Sequence, residues 1–228
     1  MKEIRSHILL CFILALALGL SGCAATSIYS IDMTYDAEKT VIPSYLKADQ
    51  KALQSIIAVT EFTDTRKIDD PLVIGRVTER DGMRVLVLPR QIRPTFALAQ
   101  GVRLYLRKAG YNVSGVGARW DLKEETIPQT GSSKMTIGGA IEEMEIDCRR
   151  AFPTNTYTTK MKLTLYLADS VNKKILHTAT VVSSTSLEHV SFSPERLGDQ
   201  ASVALTDAIE KIFEKREVAQ KIREALNR

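Results

Sequence analysis

The chain contains few of the residues that most often carry catalysis or covalent cross-links. Its 228 residues include three histidines, three cysteines and one tryptophan. It shows no nucleophile elbow, phosphate-binding loop or histidine pair at metal-ligand spacing. The stretch Gly115–Gly117 lacks the third glycine and the following helix of a dinucleotide-binding fingerprint. We therefore expect no catalytic residues, no cofactor and no metal site, and a protein without enzymatic activity.

The net charge of the chain is small, with 31 basic against 27 acidic residues and a formal charge of +4. The basic residues are spread along the chain rather than concentrated in the stripe typical of a nucleic-acid binder, so we expect no nucleic-acid partner. His177 and His189 lie far from any second metal ligand at a recognised spacing, and we interpret both as surface or structural residues.

A basic and then apolar segment opens the chain. Lys2 and Arg5 precede an unbroken apolar run over residues 8–20, which ends at the small residues Ser21-Gly22. This order is typical of a secretory signal. A transmembrane anchor is the weaker alternative, because about 20 apolar residues are needed to cross the hydrocarbon core of a membrane. Residues 1–22 are therefore predicted to be a signal peptide.

The end of this segment, Leu20-Ser21-Gly22-Cys23, resembles the lipobox of bacterial lipoproteins. In that family the cysteine thiol receives a diacylglycerol, and the signal is cleaved before the cysteine. The resemblance implies cleavage between Gly22 and Cys23, lipidation of Cys23 and attachment to a membrane in the bacterial cell envelope. Two or three acyl chains on one residue make a durable anchor. The residue after the cysteine is Ala24 rather than aspartate, which by the family's sorting pattern implies the outer membrane, facing the periplasm.

The cysteines fit this interpretation. If Cys11 leaves with the signal and Cys23 carries lipid, Cys148 is the remaining thiol, and no internal disulfide can form. Cys148 alternates with Met144 and Ile146 in a strand pattern, so we interpret it as a small buried apolar residue rather than a reactive thiol. A packed core must therefore stabilise the fold.

The rest of the chain is predicted to be a tether followed by one domain. Residues 23–54 are polar, are interrupted by Pro43 and have scattered apolar positions, which is typical of a spacer. Residues 55–228 are long enough for a single globular α/β domain with C-terminal helices. Its first core strand is predicted at Ser55–Phe62, which is rich in β-branched residues.

A β-hairpin is predicted around Asp81-Gly82, a pair that suits a two-residue primed turn. With such a loop Val77 would face Leu86, and Glu79 would face Arg84 across the strands. Apolar and oppositely charged partners would then both be in register.

Apolar periodicity predicts an α/β (α+β) fold with a curved, largely antiparallel sheet and two or three helices packed on one side. Met135, Ile137 and Ile141 share one phase of the alternation and Met144, Ile146 and Cys148 share the other, which indicates a β-bulge or a bend over residues 138–143. Two further alternating segments predict an antiparallel meander. Helices are predicted over 94–109, from Pro194 to Phe213 after an N-cap at Ser193, and over 217–226.

The order of these elements resembles the YajG-like family of bacterial lipoproteins. The resemblance rests on the lipobox, the strand Ile57-Ala58-Val59, the helix that ends Leu106-Arg107-Lys108-Ala109-Gly110, the long strands and the closing amphipathic helix, and it covers most of residues 23–215. The chain is similar at the same level to auxiliary lipoproteins of ABC-type lipid transporters and to lipoproteins that assist lipopolysaccharide assembly. The resemblance implies an α/β domain and transfers no active-site residue.

One acidic cluster, Glu142, Glu143, Glu145 and Asp147, is a candidate site. On a strand, Glu143, Glu145 and Asp147 would share one face and could bind a cation or a basic partner. A solvated face of a half-buried sheet explains them as well, and we favour that interpretation. Their use as a glycosidase-like pair depends on the separation of the carboxylates, which is a structural quantity.

The functional hypothesis that follows is a membrane-anchored, non-enzymatic accessory or binding module for an envelope assembly or transport system, with an envelope protein as its partner. One alternative is a lipid carrier, which requires an apolar cavity. A less favoured alternative is an envelope hydrolase that uses the acidic cluster and requires a cleft with at least one carboxyl group of raised pKa.

Overall fold

The computed structural model describes residues 27–115, 119–129 and 131–227. The predicted signal peptide, its cleavage site at Gly22–Cys23 and the predicted lipidation of Cys23 lie outside the described residues and stay predictions. The strands are β1 (Ile28–Ile31), β2 (Ile56–Val59), β3 (Thr63–Asp64), β4 (Gly75–Thr78), β5 (Arg84–Pro89), β6 (Asn112–Ser114), β7 (Ser133–Arg149), β8 (Asn155–Asp169) and β9 (Lys174–His189). The helices are α1 (Pro94–Lys108), α2 (Pro194–Phe213) and α3 (Arg216–Leu226).

The strands of the described residues form one open sheet of nine strands organised around β7. One edge of β7 pairs antiparallel with β8, and β8 pairs antiparallel with β9. The other edge is shared by three shorter parallel partners, with β2 near the start of β7, β3 in the middle and β4 near its end. β6 extends the sheet beyond β2, and β5 and β1 extend it beyond β4. The predicted α/β class and the antiparallel meander are confirmed.

The predicted bulge in β7 is also confirmed. The register with β8 shifts between Ile141 and Glu143. Ile141 before the bulge and Met144 after it are both buried in the main core, as is Cys148. The extra residue at the bulge offsets the change of alternation phase. The apolar side chains of this 17-residue strand therefore face the core both before and after the bulge.

The helices lie within about a residue of the predicted ranges, begin and end at local signals in the sequence, and pack beside the sheet. α1 has Pro94 at its first position and ends before Gly110, whose φ of +95° is the left-handed conformation that favours glycine. The hydroxyl of Ser193 accepts the backbone N–H of Arg196 at 3.1 Å and caps α2. α1 and α2 approach closely at Gly101, where a Cβ atom would lie 2.5 Å from the side chain of Ile209. None of the helices within the described residues is long and apolar enough to span a membrane.

The predicted tether is wrong over residues 28–54, which belong to the packed domain. β1 pairs in parallel with β5, and Ile31, Met33, Tyr35 and Leu46 are buried in the main core. Ile31, Met33 and Tyr35 alternate with the exposed Asp32 and Thr34, a short strand-like pattern inside a stretch that is otherwise polar. The domain therefore begins at β1 rather than at residue 55.

The hairpin turns where predicted, but its register differs by one residue. Val77 lies opposite Val85 rather than Leu86. The loop contains three residues rather than two and is closed by the N–H of Glu79, which donates to the carbonyl of Met83 at 2.8 Å. Gly82 takes the left-handed position at φ +86°, as in a three-residue hairpin loop with a bulge.

This register also overturns the predicted pair of Glu79 with Arg84. The Glu79 carboxylate instead accepts from Arg150 at 2.5 Å and from the hydroxyl of Tyr29 at 2.9 Å. One side chain thereby joins the hairpin to β1 and to the residue that follows β7. Such contacts between distant segments cannot be derived from strand alternation.

A second, smaller core covers the other face of the sheet where β7 begins. It contains Trp120 and Ile127, both buried, from the segment between β6 and β7. The indole N–H of Trp120 donates to the carbonyl of Lys123 at 2.8 Å. Gly138 lies under the ring, where a Cβ atom would come within 2.5 Å of the indole. A glycine is therefore needed at this point of β7.

Candidate binding site

A notch separates the two groups of strands that share one edge of β7. β2 pairs with β7 up to Ile137, and β4 pairs with it from Ile146 onward, while the short β3 lies between them. Residues 65–74, here called the crossing loop, connect β3 to β4. Concave surfaces of the domain lie on both sides of this loop.

Arg66 holds the crossing loop in place. Its side chain is only 3% exposed and forms two hydrogen bonds with the Asp64 carboxylate, at 2.9 Å from Nε and 2.6 Å from Nη2. Its guanidinium also donates to the carbonyl of Val73 at 3.0 Å and to that of Pro71 at 2.9 Å. A buried guanidinium with its donors engaged defines one geometry for the loop. In the sequence Asp64 and Arg66 are two charges in a polar stretch, and no pattern marks this role.

The first concavity, here called the acidic groove, has a volume of about 800 Å³ and lies between the crossing loop and β7. It contains the whole predicted acidic cluster. Its lining residues are Thr65, Arg66, Lys67, Ile68, Asp69, Asp70, Val73, Ile74, Gly75, Arg76, Glu142, Glu143, Met144, Glu145, Asp147 and Lys162. The predicted cluster thus faces a groove rather than an open sheet surface.

Two of the four acids are paired with lysines of β8. Glu142 forms a salt bridge with Lys162 at 2.7 Å, and Glu143 forms one with Lys160 at 2.7 Å. Hydrogen bonding from these lysines lowers the pKa of both carboxyl groups. The register of β7 with β8 places both lysines within reach of these acids. Lys162 lies directly opposite Glu143, and Lys160 is two positions away on β8. These two acids are ionised partners of basic residues at neutral pH.

Asp147 differs from its neighbours. It is partly buried, and burial, followed by the charge of Glu145, raises its pKa to about 6. Opposing these effects, the adjacent Arg76 lowers the pKa. The interpretation as a solvated strand face fits the exposed Glu143 and Glu145 but is wrong for Asp147. Glu145 and Asp147 are two positions apart on one strand, so they belong to the same wall of the groove.

The second concavity, here called the apolar pocket, has a volume of about 580 Å³ and lies on the other side of the crossing loop. Its lining includes the buried residues Phe62 and Trp120 and the exposed residues Arg93 and Arg119, and Arg119 pairs with Glu61 at 3.7 Å. It is completed by Glu61, Thr63, Asp64, Asp70, Pro71, Leu72, Pro89, Pro94 and Thr95. These residues come from separate segments, so no local motif marks the pocket. Its volume lies in the ordinary range of small-molecule sites.

The remaining candidate residues lie apart from the notch. Cys148 is buried as predicted, and burial raises the pKa of its thiol to about 11. His177 is in β9, and His189 ends that strand, where its ring lies 3.1 Å from the backbone of Ser191. Within the part of the chain that the structure describes, no three metal-ligating side chains come together.

Comparisons with known proteins support the fold. No family model matches the chain, and no curated protein matches it. The fold is similar to that of protein XCC0632 from Xanthomonas campestris, described by the family model DUF330, with 14% identity, a TM-score of 0.51 and coverage of 87% of this chain and 98% of that one. A more distant similarity is to the hypothetical protein CT253 from Chlamydia trachomatis, with 11% identity, a TM-score of 0.42 and coverage of 75% of this chain and 97% of that one. Another is to the lipoprotein GNA1162 from Neisseria meningitidis, with 13% identity, a TM-score of 0.28 and coverage of 67% of this chain and 96% of that one. These likenesses concern the fold alone, and the YajG-like assignment stays a prediction.

Proposed function

We propose that this chain is a lipid-anchored envelope protein whose domain is a non-enzymatic binding module for an assembly or transport system. The supporting observation is the notch, where a loop pinned by the buried Arg66 separates two open concavities of about 800 and 580 Å³. A lipid on Cys23 would hold this module at a membrane, and the residue after it favours the outer membrane facing the periplasm.

The charges in the acidic groove favour binding over acid–base catalysis. Glu142 and Glu143 are neutralised by lysines, and Glu145 and Asp147 lie on one wall. A glycoside hydrolase needs two carboxyl groups that flank the scissile bond. The pKa of Asp147 is raised, so this residue is the candidate of the hydrolase alternative.

The lipid-carrier alternative is favoured by a separate observation, the apolar pocket. Its lining includes Leu72 and three prolines, and the exposed Arg93 could contact an anionic headgroup. The two concavities share the crossing loop but face different sides of it. A protein partner in the groove and a lipid in the pocket are therefore separable experimentally.

The test is photo-crosslinking in cell envelopes with benzoylphenylalanine at one position at a time. Ile68 lines the acidic groove, and Leu72 lines the apolar pocket. Val203 on α2 is the matched control, since it is 51% exposed, as Leu72 is. We expect a discrete protein adduct from Ile68 that is absent from Val203. A lipid adduct from Leu72 would support the carrier alternative, and identical patterns at all three positions would contradict a binding role for the notch.

A further inference from the structure

The start of the domain lies very close to the proposed lipid. Ser27 is the first described residue, and Ile28 begins β1. Only residues 24–26 separate Ser27 from Cys23. A fully extended chain spans at most about 3.6 Å per residue, so the Cα atoms of Cys23 and Ser27 are at most about 14 Å apart. If Cys23 carries lipid, as the proposed function assumes, the end of the sheet at Ile28 must lie at the membrane surface.

The topology determines what else lies at this end. β1 runs parallel to β5, so Ile28 is beside the start of β5 and the hairpin loop. The other strand of the hairpin ends at Thr78, opposite Arg149 at the end of β7. β8 starts at Asn155 opposite His189, the last residue of β9. The anchor end is therefore defined as residues 27–28, the hairpin loop 79–83, the turn 150–154 and the loop 190–193.

Each of these four segments exposes a large apolar side chain. Ile28 is 50% exposed, Met83 57%, Phe152 88% and Val190 68%. Phe152 is the most exposed large apolar side chain of the described residues. Isolated exposed apolar residues are ordinary on protein surfaces. Here, however, one such residue stands on every segment that the short N-terminal connection brings to the bilayer.

Basic residues accompany them. Arg80, Arg84 and Arg149 are exposed on the hairpin and at the end of β7. The hairpin loop holds two acids: Glu79 is paired with Arg150, and the carboxylate of Asp81 accepts the backbone N–H of Met83 at 2.9 Å. On the side of β9 and α2, the acids Glu188 and Glu195 accompany a single arginine, Arg196, so the excess of positive charge lies on the hairpin and at the end of β7. Arginines beside apolar side chains suit the boundary between lipid phosphates and acyl chains.

We propose that the anchor end is a second membrane contact, in which Phe152, Met83, Ile28 and Val190 enter the interfacial region of the bilayer and the hairpin-side arginines bind anionic lipid phosphates. A single lipidated residue on a short connection restricts the distance of the domain from the membrane, but it does not fix the tilt of the domain. Contacts from four segments would set the orientation of the domain on the membrane. The proposed binding module would then present its notch in a defined direction.

The test uses the full lipidated protein in vesicles of phosphatidylethanolamine and phosphatidylglycerol. A cysteine is introduced by Phe152→Cys, or by Met83→Cys with Phe152 intact, and labelled with an environment-sensitive fluorophore. The native Cys148 is buried and Cys23 is acylated, so the new thiol takes the label. The matched control is Val171→Cys, a site 68% exposed in the β8–β9 turn at the opposite end of the sheet.

We expect spin-labelled lipids to quench the label at positions 152 and 83 and to leave the label at 171 bright. Replacing Arg80, Arg84 and Arg149 together by Gln should reduce the quenching on anionic vesicles to the level seen on phosphatidylcholine vesicles. Flotation of the same samples tests the anchor itself. Protein that floats but is unquenched at 152 and 83, or is quenched equally at 171, refutes the membrane contact and leaves the anchor standing. Protein that does not float refutes the lipid anchor, and this inference with it.

Discussion

Replacing Asp147 by Asn should stabilise the protein at neutral pH. Burial and the neighbouring Glu145 raise the pKa of Asp147 from 3.8 to about 6. Since one pH unit of difference between folded and unfolded pKa is worth about 1.4 kcal/mol, the full rise corresponds to about 3 kcal/mol at neutral pH. Asp147 is partly exposed and its charge is screened by water, so we expect a gain in unfolding free energy of about 1 to 2 kcal/mol.

The pH dependence of stability determines the direction of the expected change in unfolding free energy. Between pH 3.8 and about 6 the folded protein holds the proton of Asp147 more tightly than the unfolded chain does. Stability is therefore lost as the pH rises through this window, and the deficit persists above it. An asparagine side chain has no charge to desolvate, so Asp147→Asn should gain stability at pH 7.5 and gain little at pH 4.

Urea denaturation of wild type and variant at both pH values measures the difference. Glu143→Gln is the matched control, because Glu143 is on the same strand and face but exposed and paired with Lys160. Its pKa is lowered rather than raised, so neutralising it should not stabilise the protein. A gain at pH 4 equal to that at pH 7.5, or none at pH 7.5, would refute the assignment of a buried, destabilised carboxylate to Asp147.

Three further outcomes are expected. Cys23→Ser removes the predicted acyl acceptor, so the protein should remain an unprocessed precursor without palmitate label; normal processing and labelling would disprove lipidation. Leu205→Ala and Ile209→Ala empty fully buried positions of α2 and should each cost about 2 to 5 kcal/mol in urea denaturation, whereas less than about 0.5 kcal/mol would contradict their place in the core. Arg66→Ala removes the guanidinium from the partly exposed Asp64 carboxylate and from two loop carbonyls, and should cost about 1.5 to 3 kcal/mol. It should also abolish the protein adduct formed from Ile68, and an unchanged adduct would show that the crossing loop does not position the groove.

Elements marked by local signals were predictable. The turn at Asp81-Gly82, the first-turn proline and glycine stop of α1, and the Ser193 cap of α2 each depend on residues within a few positions of one another. The bulge of β7 was predictable because the alternation of buried residues changes phase along one continuous strand. Burial of Cys148 followed from the same alternation.

The tertiary structure decided the features that join distant segments. The parallel pairing of β1 with β5, the attachment of β2 and β4 to separate stretches of β7, and the resulting notch involve strands far apart in the chain. Local patterns show which segments can form strands, but the partner of each strand depends on contacts between segments far apart in the chain. The hairpin register depends on the length of its loop. A two-residue loop needs positive φ at both Asp81 and Gly82, whereas the observed three-residue loop needs it at Gly82 alone, and this sequence suits either loop.

Within the four residues of the acidic cluster, the sequence again predicts some features, and the tertiary structure decides the others. Strand alternation alone placed Glu143, Glu145 and Asp147 on one face, since side chains two positions apart on a strand point the same way. The difference between the exposed, lysine-paired Glu143 and the partly buried Asp147 arose from what lies over each position. Lys160 of β8 neutralises the first, whereas the second lies beside Arg76 of β4 in the groove that the crossing loop lines. Burial and pKa depend on the surrounding atoms in three dimensions, which only the assembled fold determines.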